Sequence, residues 1–156
     1  MNMRQQIKKF IKTLKDLYGE NLISVIFFGS FGTERFKASS DIDVFIVLEK
    51  GLRTHSMRIK EFTQFFENVT DKELKEFVDR VNPVIKLKDS FRNFQSLLLD
   101  MTVRAEIVYD KGNFFKKELL KLKRKLHKMG AKRVTIGRRW YWDLKPDLKP
   151  GEIFEI

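Results

Sequence analysis

The stretch that decides the fold spans residues 29–48 and reads GSFGTERFKASSDIDVFIVL. Its opening Gly-Ser pair ends the hydrophobic run 22–28, and two carboxylates, Asp41 and Asp43, stand at the start of the next run, 42–48. Both runs are short, rich in β-branched and aromatic residues and bounded by polar turns, which is typical of buried strands. The sequence therefore predicts two core strands joined by a polar loop, with glycine at one end of the loop and carboxylates at the other.

The two aspartates form a candidate metal site. Because successive side chains of a strand point to opposite faces, Asp41 and Asp43 project from the same side, while Ile42 and Val44 pack into the core. Two carboxylates at this spacing repel each other, and a shared divalent cation relieves the repulsion. Mg²⁺ prefers a few carboxylate oxygens and leaves its other positions to water and substrate phosphates. The pair thus predicts a site for one or two Mg²⁺ ions.

The Gly29-Ser30 turn is a candidate phosphate site. Glycine lets backbone N–H groups approach a phosphate closely, a following helical turn presents a positive N-terminal end, and the Ser30 hydroxyl can also donate. We expect the β and γ phosphates of a nucleoside triphosphate at the turn and the α phosphate against the metals. A hydroxyl could then attack in line and release pyrophosphate.

The spacing of these residues resembles the motif of the minimal nucleotidyltransferases of the DNA polymerase β superfamily, which is Gly-Ser, ten residues, then Asp-x-Asp. By this resemblance Gly29 and Ser30 bind the nucleotide, and Asp41 and Asp43 are the first two catalytic, metal-binding carboxylates. The resemblance implies a metal-dependent transfer of a nucleoside monophosphate from a triphosphate such as ATP to an acceptor, which the sequence does not identify.

The resemblance is close over residues 22–48 and looser to about residue 110, and the tail 140–147 is similar to an archaeal subgroup of these domains. It implies an α/β (α+β) fold of the polymerase β palm type, with a small mixed β-sheet backed by helices. At 156 residues with 42% hydrophobic content, the chain is expected to form one domain over residues 1–156. A basic helix and tail, about 111–156, should pack on it.

The third carboxylate of the family is not evident. In the family it usually lies within the next core strand, helps to bind one metal and activates the attacking hydroxyl. The strand predicted here, 83–87, contains no acid, and Val84 stands at the expected position. Asp89, Asp79 and Glu76 are possible substitutes, although Asp89 is more typical of a turn or a helix cap. The sequence leaves open whether any of them serves.

Hydrophobic periodicity predicts the other elements. The predicted helices cover residues 3–18, 54–69, 71–81 with Thr70 or Asp71 as N-cap, 90–101 with Ser90 as N-cap and Phe94 facing inward, and 115–129. Further strands are predicted at 83–87, with Pro83 in its first position, at 103–109 and, as a short closing strand, at 153–156.

Positive charge is concentrated near the end of the chain. Between Lys111 and Lys145 there are 13 Lys and Arg residues and two acids, so this segment accounts for the whole net charge of +11. Such a segment indicates either a polyanion partner or a solvated face. We expect an RNA or protein acceptor to bind the helix around 121–128. The absence of cysteine, of a secretory signal and of a long apolar run favours a cytoplasmic protein without a membrane segment.

Several other residues are weaker candidates. His55 and His127 lack metal-ligand spacing and are predicted at the surface. Arg35 and Lys37 lie in the central loop and could steady a triphosphate, although loop bases are usually solvated. The aromatic cluster 140–142 could stack bases, and a small satellite core under the tail is the favoured interpretation.

Two alternatives to an ordinary nucleotidyltransferase remain. The resemblance also covers antitoxins that bind, and in some cases nucleotidylate, a helical toxin, which implies a helical partner protein. The other alternative is a non-catalytic nucleic-acid-binding module that keeps the fold while its affinity comes from the basic end. Such a module should show steep salt dependence and no response to Asp41→Asn.

Overall fold

The computed structural model describes residues 2–156, apart from the side chains of residues 92–95. The α-helices are α1 (Met3–Tyr18), α2 (His55–Glu67), α3 (Lys72–Val78), α4 (Gln95–Val103) and α5 (Phe114–Lys128). The strands are β1 (Leu22–Phe28), β2 (Ile42–Leu48), β3 (Val81–Leu87), β4 (Glu106–Asp110), β5 (Lys132–Ile136) and β6 (Arg139–Asp143). Within the described part of the chain, no helix has the length and apolar character required to cross a membrane.

Strands β1 to β4 form one mixed sheet in the order β3-β2-β1-β4. Strand β1 pairs antiparallel with both β2 and β4, whereas β2 and β3 run parallel. The parallel pair needs a crossover, which α2 and α3 supply. The predicted small mixed sheet backed by helices is therefore confirmed.

Alternate residues of β2 enter two separate cores on opposite faces of the sheet. Ile42, Val44 and Ile46 pack with α1, α2 and α3, whereas Phe45 and Val47 pack on the other face with α4 and α5. All five are fully buried. Asp43 and Asp41 lie two and four residues before Phe45, so their side chains point to the same face of the sheet as Phe45. Both aspartates therefore lie on the α4 and α5 face, beyond the core.

Strand β3 begins two residues earlier than predicted. Val81 pairs with Ile42, so Pro83 occupies the third position of the strand and not the first. The sheet order leaves β3 at an edge, where a missing backbone donor is tolerated.

The segment after β3 also differs from the prediction. A 3₁₀ helix, Lys88–Phe94, precedes α4, and the Ser90 hydroxyl donates to the Leu87 carbonyl at 3.0 Å, so Ser90 is not the N-cap of an α-helix. Val103 ends α4 and does not begin β4. The inward orientation expected of Phe94 lies outside the described residues. The N-cap of α3 is Asp71, whose carboxylate accepts from the Leu74 N–H at 2.9 Å.

The tail contains a hairpin that the sequence analysis missed. Strands β5 and β6 pair antiparallel from Lys132–Asp143 to Ile136–Arg139, with the two-residue turn Gly137-Arg138. Gly137 has φ +60°, which suits the first central position of a tight hairpin turn. The predicted closing strand at 153–156 is wrong, because these residues have no regular secondary structure.

Candidate active site

Gly29 begins the turn that follows β1, and two features require a glycine there. Its φ is +67°, a left-handed conformation that residues with a side chain rarely adopt. A Cβ atom at this position would also collide with the carboxylate of Asp43, lying 3.3 Å from its Cγ and closer still to Oδ2. The missing side chain therefore brings the backbone of the turn directly against one carboxylate of the Asp-x-Asp pair.

The carboxylates lie where β2 begins. Asp41 immediately precedes the strand and is exposed, whereas Asp43 is half-buried and pairs with Phe28, the last residue of β1. The Asn82 amide of β3 donates to Asp43 Oδ1 at 3.0 Å. One oxygen of Asp43 is thus held by Asn82, and the other faces Gly29.

The loop after Gly29 consists of successive tight turns and contains no helix. The N–H of Phe31 donates to the Phe28 carbonyl at 3.4 Å, and the N–H of Thr33 donates to the Ser30 carbonyl at 3.1 Å. Phe31 is buried with its ring centroid 4.7 Å from that of Phe27, which anchors the loop on the sheet. No helix follows the turn, so the donors that an anion could meet here are local backbone N–H groups and the Ser30 hydroxyl, and not a helix N-terminus.

The structure corrects the expected position of the third carboxylate. The residue of β3 in register with Asp43 is Asn82, whereas Val84 pairs with Phe45 and packs into the core. Asp89 lies beyond the opposite end of β3, roughly 17 Å or more away at about 3.3 Å per strand residue. It therefore cannot join the pair.

The other two possible substitutes also fail to complete a triad. Asp79 is exposed at the C-cap of α3, and Glu76 is exposed on the same helix. Across residues 2–91 and 96–156, whose side chains are described, no three His, Cys, Asp or Glu side chains come together as a metal-binding group. The site is a pair of carboxylates beside an amide.

The donor set fits a hard divalent cation. Asp41 and Asp43 offer only oxygen ligands, and the absence of a side chain at position 29 lets Asp43 Oδ2 lie against the backbone of the turn. Two carboxylates satisfy part of the octahedral shell of Mg²⁺ and leave positions for water and phosphate oxygens.

A cleft of about 1330 Å³ opens beside the turn. One wall is the loop from Gly29 to Arg35, a second is α4, and a third is the β5–β6 hairpin. Its lining contains more basic than acidic side chains, namely Arg35, Arg104, Arg133 and Arg138 against Glu34 and Asp100. An anionic ligand would thus be attracted to it.

The structure places the weaker candidates as follows. Arg35 lines the cleft, whereas Lys37 does not. His55 and His127 are exposed, as predicted. Trp140 is 42% exposed and lines the cleft, so the favoured interpretation of the aromatic cluster as a satellite core is wrong for this residue.

Asp100 and Trp142 meet where the hairpin contacts α4. Burial raises the pKa of the Asp100 carboxyl, and the indole N–H of Trp142 and the Arg133 guanidinium partly offset this effect. The Trp142 N–H is itself buried and lies near the carboxylate without reaching full hydrogen-bond geometry. Neither Asp100 nor Arg133 was predicted as a site residue from the sequence. The signal that could have revealed this part of the site is the alternation around Gly137, which predicts a hairpin.

The fold and the site together define a class of protein, the nucleotide-binding transferases with a mixed sheet and a turn facing paired carboxylates. Residues 7–132 match the family model described as "Nucleotidyltransferase domain", and the chain belongs to this family of enzymes. The match ends at Lys132, the first residue of β5, so nearly the whole hairpin lies beyond the matched region.

Similar proteins include both sequence relatives and solved structures. A Methanocaldococcus jannaschii protein, named as an inferred protein adenylyltransferase, is 24% identical over 123 residues, which are 75% of this chain and 78% of that protein. The complex of the tri-AMPylated Shewanella oneidensis HEPN toxin with its MNT antitoxin contains a chain that is 17% identical, with a TM-score of 0.50 over 78% of this chain and 83% of that one. Spectinomycin adenyltransferase AAD(9) from Enterococcus faecialis, solved with ATP and spectinomycin, is 18% identical, with a TM-score of 0.50 over 76% of this chain and 59% of that one. The two structural likenesses show a shared fold.

Proposed function

We propose that this nucleotidyltransferase transfers a nucleoside monophosphate, AMP in the first instance, from its triphosphate to a hydroxyl group of a protein. The observation that carries the proposal is the contact of the Gly29 backbone with the Asp43 carboxylate. A phosphate turn and a metal ligand must meet at this distance if one triphosphate is to touch both. In this proposal Gly29 and Ser30 hold the phosphates, and Asp41 and Asp43 hold Mg²⁺.

The reaction is a displacement at the α phosphorus. The acceptor oxygen forms a bond to the α phosphorus, the bond from that phosphorus to the bridging oxygen breaks, and pyrophosphate leaves with the bond electrons. Bound Mg²⁺ would neutralise charge on the phosphates. The chain's own contribution is to position the phosphates at the turn and to keep Asp43 oriented through the Asn82 amide.

The proton of the acceptor hydroxyl has no dedicated base in this proposal. Asn82 stands beside Asp43, where an acid could have served, and an amide does not accept a proton at neutral pH. General-base assistance is typically worth about 10²- to 10⁴-fold in rate. We therefore expect slow turnover, with the proton passing to water.

A protein acceptor is favoured over RNA by the names of similar proteins. The M. jannaschii relative is named for protein adenylylation, and the Shewanella complex contains an AMPylated toxin beside its antitoxin. The outer face of α5 is the proposed contact, because the helix carries seven Lys and Arg residues and one acid. An acidic protein surface would complement it.

The proposal is tested by following the label from ATP labelled on either the α or the γ phosphate, in the presence of Mg²⁺ and an extract of host proteins. Wild type should transfer the α label alone, into material sensitive to protease and resistant to ribonuclease. Asp41→Asn and Asp43→Asn should abolish transfer, whereas the matched control Asp89→Asn, at the opposite end of β3, should retain it.

Two results would contradict the proposal. Transfer by Asp43→Asn at the wild-type rate would remove the metal pair from the chemistry. No transfer by any variant, together with RNA binding that weakens steeply with salt and ignores Asp41→Asn, would instead support a non-catalytic nucleic-acid-binding module.

A further inference from the structure

The β5–β6 hairpin presents one of its two faces to the cleft. Cross-strand pairing places Arg133 opposite Trp142 and Thr135 opposite Trp140, so these four side chains share a face. Arg133, Thr135 and Trp140 all line the cleft, together with the two turn residues. The other face carries Ile136 and Tyr141, which are 66% and 50% exposed.

The same face also attaches the hairpin to the rest of the molecule. Trp142 is half-buried and meets Asp100 on α4, and the Arg133 guanidinium acts on the same carboxyl. The guanidinium carbon of Arg133 also lies 4.1 Å from the centroid of the Trp140 ring, a cation–π geometry that holds the indole in place. Trp140 is therefore a partly exposed aromatic ring fixed across the cleft from the Gly29-Ser30 turn.

We propose that Trp140 is the stacking platform for the nucleobase of the bound nucleoside triphosphate. This inference rests on the proposed function, in which the triphosphate binds at the turn. The cleft joins that turn to an arginine-backed indole, and a ligand with an anionic chain at one end and a planar ring at the other matches both walls.

The dimensions and the charge of the cleft agree with this ligand. Its volume of about 1330 Å³ is above the roughly 300–1,000 Å³ typical of small-molecule sites, so the cleft has room for a nucleoside triphosphate. Four arginines against two acids give the lining a net positive charge, which favours an anionic ligand such as a triphosphate. Stacking on an indole is tolerant of base identity, so the platform should distinguish nucleotides from inorganic phosphates more strongly than one base from another.

The test compares the binding of two probes to the full chain in Mg²⁺. The probes are the ATP analogue AMP-PNP and inorganic tripolyphosphate, which has the charge and lacks the base. Trp140→Ala should weaken AMP-PNP binding by roughly 5- to 150-fold, as expected for one lost base–aromatic stack, and leave tripolyphosphate binding within about twofold. Trp140→Phe should restore most of the affinity.

Tyr141→Ala, on the opposite face of the hairpin, is the matched control and should bind both probes as wild type does. Far-ultraviolet circular dichroism and thermal unfolding of each variant establish that the hairpin is retained. The inference is overturned if Trp140→Ala binds AMP-PNP as wild type does, if it loses both probes equally, or if only the apparent KM for a macromolecular acceptor rises. Failure of wild type to bind either probe would instead refute the proposed function.

Discussion

At the scale of single residues, Gly29 has two separable roles. Its positive φ is shared with Gly130, at +69°, but a Cβ atom at Gly130 would meet nothing within 4 Å, whereas one at Gly29 would collide with Asp43. The backbone conformation is thus the sole requirement for glycine at Gly130, whereas at Gly29 the contact with Asp43 is a second one. Substituting each glycine therefore distinguishes the free-energy cost of the left-handed conformation from the effect of the contact with Asp43.

We predict that Gly130→Ala lowers the free energy of unfolding by about 1–2 kcal/mol, the cost of a left-handed conformation, and that Gly29→Ala lowers it by at least as much, because the collision with Asp43 adds to that cost. Only Gly29→Ala should also lose Mg²⁺-dependent binding of AMP-PNP, because the new methyl group displaces the Asp43 carboxylate. Urea unfolding and calorimetric titration measure the two effects. Equal nucleotide affinity in both variants would show that the close approach has no functional role.

The residues of the turn and of the carboxylate pair could be predicted as site residues from the sequence, because their spacing along the chain forms a recognisable motif. Asn82 could not, since its place beside Asp43 depends on the register between β2 and β3. The sequence pattern predicted the strand two residues too late, at residue 83, so that Val84 and not Asn82 stood at the expected position of the acid. Register is a tertiary property, because a parallel pair has no hairpin turn to fix it.

At the scale of elements, Asp110 connects the end of β4 to the start of α5. Its carboxylate accepts from the Ser24 hydroxyl at 2.7 Å and from the backbone N–H groups of Phe115 and Lys116 at 2.9 and 3.0 Å. Asn113, the N-cap by position, makes no side-chain cap. Asp110 therefore caps α5 from outside the helix and satisfies the fully buried Ser24.

Asp110→Ala should lower the free energy of unfolding by about 2–4 kcal/mol, because it leaves a buried hydroxyl unpaired and removes a helix cap. Chemical denaturation monitored by circular dichroism measures the change. Asp71→Ala, which removes the half-buried N-cap of α3 but leaves no buried hydroxyl unpaired, should cost clearly less. A loss at Asp110 no larger than that at Asp71 would contradict the role assigned to the buried pair.

Elements with a strong periodic pattern were predicted well, and β1 and β2 have the predicted bounds. The misses are short elements whose structure depends on local hydrogen bonds or on packing. A 3₁₀ helix follows β3 where the sequence predicted the N-cap of an α-helix. The hairpin around Gly137 was not predicted, because its strands bury little of their surface. That overlooked hairpin supplies the third wall of the cleft.

At the scale of the whole molecule, the site depends on contributions from distant parts of the chain. The turn and the carboxylate pair come from the first third of the sequence, Asn82 from the parallel edge strand, and the opposing wall from the tail. The sequence predicted the first group and associated the basic end with a macromolecular partner. In the structure, three of the four arginines that line the cleft come from later parts of the chain: Arg104 follows α4 directly, and Arg133 and Arg138 lie in the tail.

The proposed function requires that the turn and the two aspartates bind metal and nucleotide together. Calorimetric titration of AMP-PNP into wild type, into Asp41→Asn/Asp43→Asn and into Asp89→Asn, each with Mg²⁺ and with EDTA, tests this requirement. We predict that EDTA or the double substitution weakens binding at least tenfold, about 1.4 kcal/mol, and that Asp89→Asn binds as wild type does. Equal affinity of wild type and the double variant in Mg²⁺, or wild-type binding that is unchanged by EDTA, would contradict the claim.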